Sequence, residues 1–161
     1  MDLEEQIIKV KKPTENILKN LEKQYCQIAS NFGFFLVQSP LFLCFKNPEG
    51  KQIGIEIQFG GEKSIEESLK KLNNSGSDIC FLITSSKTPG PTLSQIKNIL
   101  TTKFFIAEKK YWIVDIETSR ALKVGQEAER FFSFVSRPDW AKAPPPPNPP
   151  LFRSKYKNKR K

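Results

Sequence analysis

A mixed α/β domain, a central sheet flanked by helices, is the fold class that the sequence predicts, and three observations carry it. Residues 52–59 alternate strictly, with Ile53, Ile55, Ile57 and Phe59 on one side and Gln52, Gly54, Glu56 and Gln58 on the other. That period of two belongs to a strand. The run Ile79-Cys80-Phe81-Leu82-Ile83 is continuously apolar, as in a strand covered on both faces by other layers. Between and before these runs stand segments whose apolar residues recur at helical spacing.

In chain order, Ile17, Leu18, Leu21, Tyr25, Ile28 and Phe32 form the apolar stripe of a helix that opens after Pro13 and is closed by Gly33. Residues 34–37 and 41–46 are expected as strands, and Asn47-Pro48-Glu49-Gly50 is a turn that joins the second of them to residues 52–59 as a hairpin. Ser64-Ile65-Glu66-Glu67 has the spacing of a capping box and predicts a helix from there to Asn73-Asn74-Ser75-Gly76. Residues 79–84 follow as the buried strand, parallel to residues 52–59 through a right-handed crossover. Thr92-Leu93-Ser94-Gln95 repeats the capping-box spacing and opens a short helix through Leu100. Strands are expected at 104–107 and 111–117, and a last helix at 120–134.

At 161 residues one domain is expected. It is placed at residues 1–140, with a proline-rich linker at 141–150 and a basic tail at 151–161. Ala143-Pro144-Pro145-Pro146-Pro147-Asn148-Pro149-Pro150 has the composition of an extended polyproline II spacer. The tail holds too few apolar residues to pack and is expected to be disordered when free. Arg153, Lys155, Lys157, Lys159, Arg160 and Lys161 provide six of the nine net positive charges with no acid among them, leaving +3 for the rest. The tail is therefore the strong electrostatic element.

Several function classes are disfavoured. The chain has no histidine, and its three cysteines form no CxxC pair, which argues against zinc, disulfide frameworks and histidine-dependent triads. No run approaches the roughly 20 apolar residues of a membrane helix, and the first residues are acidic rather than those of a secretory leader. The expectation is a cytoplasmic, intracellular protein that does not engage a membrane.

Chemistry is sought on the polar side of residues 52–59. Glu56 and Gln58 lie two apart, so they share a face near the end of the strand. A carboxylate and a polar neighbour there could ligate a hard cation such as Mg²⁺. The segments Ser39-Pro40-Leu41-Phe42-Leu43-Cys44-Phe45 and Ile53-Gly54-Ile55-Glu56-Ile57-Gln58, with the helix and the buried strand that follow, resemble the core of the PD-(D/E)XK (restriction-endonuclease-like) nuclease superfamily, archaeal Holliday junction resolvases in particular. The resemblance covers about residues 14–117. It implies a restriction-endonuclease-like sheet, a metal-binding role for Glu56, and Gln58 in the place of the lysine that orients the attacking water. It also implies a homodimer. Pro40 matches the family's proline, but Leu41 stands where an aspartate is expected, so the hydrolytic site is degenerate. Glu22, Glu66 or Glu67 could replace that acid only by migration.

The leading expectation is thus a nucleic-acid-binding protein, with DNA the expected ligand and no cofactor, whose nuclease-like site is weak or lost. Lys63, Lys70 and Lys71 would extend a basic groove beside Glu56. In the tail, the six cations would contact phosphates while Phe152 and Tyr156 stack on bases. Two other classes stand beside it. One is an active Mg²⁺-dependent endonuclease that uses Glu56 with a migrated acid. The other is an adaptor whose proline-rich segment docks on a partner protein. Asp115 and Glu117 read as a polar outer face, and Phe131, Phe132, Phe134 and Trp140 as core or an interface surface.

Overall fold

The computed structural model describes residues 2–104 and 108–125. Helices α1 (Leu3–Ile8) and α2 (Ile17–Asn31) precede strands β1 (Phe35–Leu36), β2 (Leu43–Lys46) and β3 (Gln52–Ile57). Helix α3 (Glu62–Asn74), β4 (Ile79–Thr84), α4 (Leu93–Lys103), β5 (Lys110–Asp115) and β6 (Arg120–Val124) follow. All six strands join one sheet in the order β1-β2-β3-β4-β5-β6. The β3–β4 and β4–β5 pairs are parallel, and the other three are antiparallel.

Sheet order explains where the helices lie. The crossovers β3–α3–β4 and β4–α4–β5 each step one strand in the same direction, so crossovers of one hand put both helices on one face. Ile65, Leu69 and Leu72 of α3 and Ile96 and Leu100 of α4 accordingly share a core with Cys80, Leu82, Tyr111 and Ile113. On the opposite face, Leu3 and Ile7 of α1 and Leu21, Tyr25 and Ala29 of α2 pack on Ile53, Ile55, Phe81, Ile83 and Val114. All six residues of β4 are buried, which is the two-sided cover that its unbroken apolar run requires.

Several local expectations are corrected. Helix α1 was not anticipated; a reciprocal pair, Asp2 carboxylate to Glu5 N–H and Glu5 carboxylate to Asp2 N–H, caps it. Ser64 is not a cap, because α3 opens two residues earlier behind Gly61. The Thr92–Gln95 box forms as expected. Phe104 ends α4 instead of opening a strand, and residues 105–107 lie outside the described residues.

The largest correction is at residues 120–124, expected as helix and found as β6. Arg120, Ala121, Leu122 and Lys123 are all good helix formers, but propensity is a weak prior that tertiary pairing overrides. A tight turn, with Ser119 at φ 60 and its N–H bonded to the Asp115 carbonyl, folds them back on β5 in the register Asp115↔Arg120 to Tyr111↔Val124. Residues 126–161, including the rest of that expected helix, the aromatic residues Phe131, Phe132, Phe134 and Trp140, the linker and the tail, lie outside the described residues. Among the described residues no helix is long and apolar enough to cross a membrane.

Candidate functional site

Strand β3 presents Gln52, Gly54, Glu56 and Gln58 toward the α3 side, because Ile53 and Ile55 face α2 in the other core. The shared face of Glu56 and Gln58 is as the alternation requires. Its surroundings are not open, however. The chain from Val37 to Phe42 crosses this face before it enters β2, and both Val37 and Leu41 pack into the α3–α4 core. Gly54 is a glycine for that reason. A Cβ there would come within 2.6 Å of both Leu41 Cδ1 and Ser77 Oγ, so only the bare backbone tolerates the approach.

Glu56 lies beneath this segment, 6 % exposed. The Phe42 N–H donates to its Oε2 at 2.6 Å, and Lys71 Nζ stands 3.9 Å from its Oε1. A buried carboxylate needs such partners, since an uncompensated charge is expensive in an apolar surround. Gln58 is also committed: its amide nitrogen donates to Ser68 Oγ of α3 at 3.2 Å, and its amide oxygen accepts the Gly60 N–H at 2.9 Å. Both side chains therefore tie β3 to its neighbours.

The donor set does not suit Mg²⁺. That ion takes oxygen ligands in an octahedron and keeps several waters, whereas Glu56 has an amide donor, an ammonium group and the buried Leu41 near it. Among the described residues no three His, Cys, Asp or Glu side chains gather to hold a metal. Two of the three acids considered as replacements are placed elsewhere. Glu22 rides on α2 across the sheet, Glu66 pairs with Lys103 of α4 at 3.1 Å, and Glu67 is exposed on α3. Lys63 and Lys70 are exposed on the outer side of α3, and it is Lys71 that reaches Glu56. Arg153, Lys155, Tyr156, Lys157, Lys159, Arg160 and Lys161 lie outside the described residues.

A substitution series separates a structural carboxylate from a functional one. Glu56→Leu should lower stability by about 1–3 kcal/mol, because it leaves the part-buried Phe42 N–H without its acceptor. Glu56→Gln, which keeps an acceptor, should cost less. Lys71→Ala should cost under about 1 kcal/mol, its ammonium being half exposed and its pair long. Chemical denaturation reads all three, and equal losses for Gln and Leu at position 56 would contradict this ordering.

A second cluster, at the carboxyl ends of β4 and β5, was not legible in sequence. Asp115 was expected on a polar outer face and is instead 5 % exposed. Its Oδ1 accepts the Ser86 and Glu117 N–H groups at 2.9 and 3.2 Å, and its Oδ2 accepts the Thr118 hydroxyl at 2.8 Å. Burial alone would push this carboxyl up, but the hydrogen bonds from Ser86, Thr118 and Glu117 outweigh it and hold it below its ordinary value. Glu117 accepts from the Ser85 hydroxyl and from Lys12 Nζ at 2.9 Å, with Lys87 Nζ 3.8 Å away. The Ser85 bond, then the Lys12 bond, lowers its pKa in turn. Only the Asp–x–Glu spacing at 115–117 marked these residues, and it does not say which loops meet there.

Both acids are more acidic folded than unfolded, so their contribution is complete above the ordinary carboxylate range and is lost as pH falls through their folded values. Stability should therefore decline below about pH 4. In Asp115→Asn the decline should be shallower and the neutral-pH stability lower. A parallel pH profile for that variant, measured by urea denaturation, would remove Asp115 from the account.

No known family, curated protein or solved structure matches this chain.

Proposed function

We propose that this protein binds nucleic acid, DNA in the first instance, through a nuclease-like body in which hydrolysis has been lost, with residues 151–161 supplying most of the salt-sensitive affinity. The observation that carries the non-catalytic half is the commitment of the buried Glu56 to the Phe42 N–H. A metal-binding acid must present its oxygens to an ion, and this one presents them to an amide and an ammonium group.

Support for the body being nuclease-like is the element order α2-β1-β2-β3-α3-β4, with an antiparallel β1-β2-β3 and a parallel β3–β4 pair. It is the order on which the resemblance to the PD-(D/E)XK superfamily rests. Support for binding is electrostatic. Six cations in eleven residues with no acid attract any polyanion and displace its condensed counterions. Lys63 and Lys70, exposed on α3, add charge on the body. Sequence-independent phosphate contacts of this kind position a duplex without reading its bases.

The test is paired. Full-length protein should retard duplex and branched DNA at about 50 mM salt and release it at several-fold higher salt. The same preparation, with Mg²⁺ or Mn²⁺, should leave those substrates intact. Failure to bind any polynucleotide at low salt removes the proposal. Cleavage abolished by Glu56→Ala would replace it with the active-endonuclease alternative.

A further inference from the structure

Charge is spread unevenly across the sheet. Residues 1–78 carry ten basic and eleven acidic side chains, whereas residues 79–125 carry seven and three. The second stretch builds β4, α4, β5 and β6, so the whole positive surplus of the α/β body falls on that half. From residue 79 to residue 107 there is no acid.

The three acids of this half are badly placed to offset its cations. Asp115 is buried under three hydrogen-bond donors, and Glu117 lies between Lys12 and Lys87. Glu108 precedes β5, at the end away from Arg120. Four of the seven cations are already committed: Lys87 to Glu117, Lys103 to Glu66, Lys110 to Glu4, and Lys109 to the Ser77 carbonyl. The side chains of Lys97, Arg120 and Lys123 enter no ion pair or hydrogen bond among the described residues.

These three meet along one edge of the sheet. Strand β6 is its last strand, α4 packs against β6, and Arg120 lines a cavity with Ser94 of α4. Lys97 follows Ser94 by three positions, which puts both on one side of the helix. Lys123 lies about 10 Å along β6 from Arg120, on the other side of the pleat. That interval is close to the axial span of about three phosphates on one strand of a duplex. The exposed side chains of α4 are otherwise hydroxyls and amides, Ser94, Gln95, Asn98, Thr101 and Thr102, of the kinds that contact phosphate and sugar. Helix α3, by contrast, sets Lys63, Lys70 and Lys71 among Glu62, Glu66 and Glu67. Its charge is balanced.

We propose that the α4–β6 edge is the face with which the α/β body contacts nucleic acid, Lys97, Arg120 and Lys123 meeting the phosphate backbone. The inference rests on the nucleic-acid function proposed above and gives it a place on the body. An anionic membrane would meet the same charge, but helices that bind a bilayer surface also insert apolar side chains. The large hydrophobic residues exposed among the described residues are Leu18, Phe32, Phe35 and Leu36, which belong to α2 across the sheet or lie near β1 at its other edge.

The experiment uses the full-length chain and a short DNA duplex, with affinity followed by fluorescence anisotropy from about 50 to 200 mM salt. Replacing the three cations together (Lys97→Gln, Arg120→Gln, Lys123→Gln) should make the slope of log K against log salt shallower by about 1–2. The pair Lys63→Gln and Lys70→Gln should leave it within about 0.5. Independently of any variant, the duplex should shift the amide signals of α4 and β6 in the ¹⁵N-labelled wild type more than those of α3. An unchanged slope in the triple variant, or shifts confined to α3, overturns this face and leaves nucleic-acid binding standing. Failure of the wild type to bind any polynucleotide removes the function and the face together. Larger shifts of the same amides with phosphatidylserine vesicles or polyglutamate than with the duplex would assign the face to a lipid surface or an acidic protein, and the proposal would fall.

Discussion

Deletion of residues 143–161 should flatten the salt dependence of DNA binding. With six cations engaged, log K should fall against log salt with a slope near −5, at roughly 0.9 per neutralised phosphate. Such a slope costs about a thousandfold in affinity between 50 and 200 mM salt. The deleted chain carries a net charge of only +3, so its slope should drop to about −1 or −2 and its low-salt affinity should fall by orders of magnitude. A variant with the prolines kept and the six cations replaced by serine separates charge from the spacer, and it should behave like the deletion. An unchanged slope in either variant would transfer the electrostatics to the α/β body, where Lys63 and Lys70 would be the next residues to test. Partners retained by the wild type at high salt and after nuclease treatment would favour the adaptor alternative, in which the proline-rich segment is the contact.

The second large effect concerns the sheet itself. Phe81 and Leu82 are adjacent in β4, both fully buried, and they point into different cores: Phe81 toward α1 and α2, Leu82 toward α3 and α4. Phe81→Ala should cost about 3–5 kcal/mol and Leu82→Ala about 2–5 kcal/mol, the transfer loss plus a cavity that close packing cannot refill. Against a domain stability of about 5–15 kcal/mol, either change removes a large share. Because the two side chains occupy separate layers, the double variant should be close to additive. A loss under about 1 kcal/mol for one of them would mean that its face of β4 lacks the cover described here. The same variants report on function, since a binding defect that tracks the folded fraction is a stability effect and not a lost contact.

How far the sequence could be read is clear from particular residues. The unbroken run 79–83 announced a strand enclosed on both sides, and β4 is one. The strict alternation at 52–59 announced which residues share a face, and Glu56 and Gln58 do share one. The Thr92–Gln95 box marked the start of α4 to the residue. These signals are local, because backbone period and first-turn hydrogen bonds are decided within a few positions. Where two local signals competed, the neighbouring structure chose between them. Ser64 had the spacing of a cap, yet the chain enters α3 at Gly61; residues 120–124 are mostly good helix formers, yet an open edge of β5 captured them as a strand.

By itself, the sequence determined the fold class, the hairpin and parallel crossover at its centre, and the concentration of charge in residues 151–161. Tertiary structure alone decided what Glu56 does, since its partners Phe42 and Lys71 stand 14 and 15 positions away in opposite directions along the chain. It likewise brought the Ser86 N–H onto the Asp115 carboxylate, 29 positions away. Period and composition specify a residue's face, but whether that face meets water, an amide or a leucine depends on which remote segment packs over it, and packing is a property of the whole core.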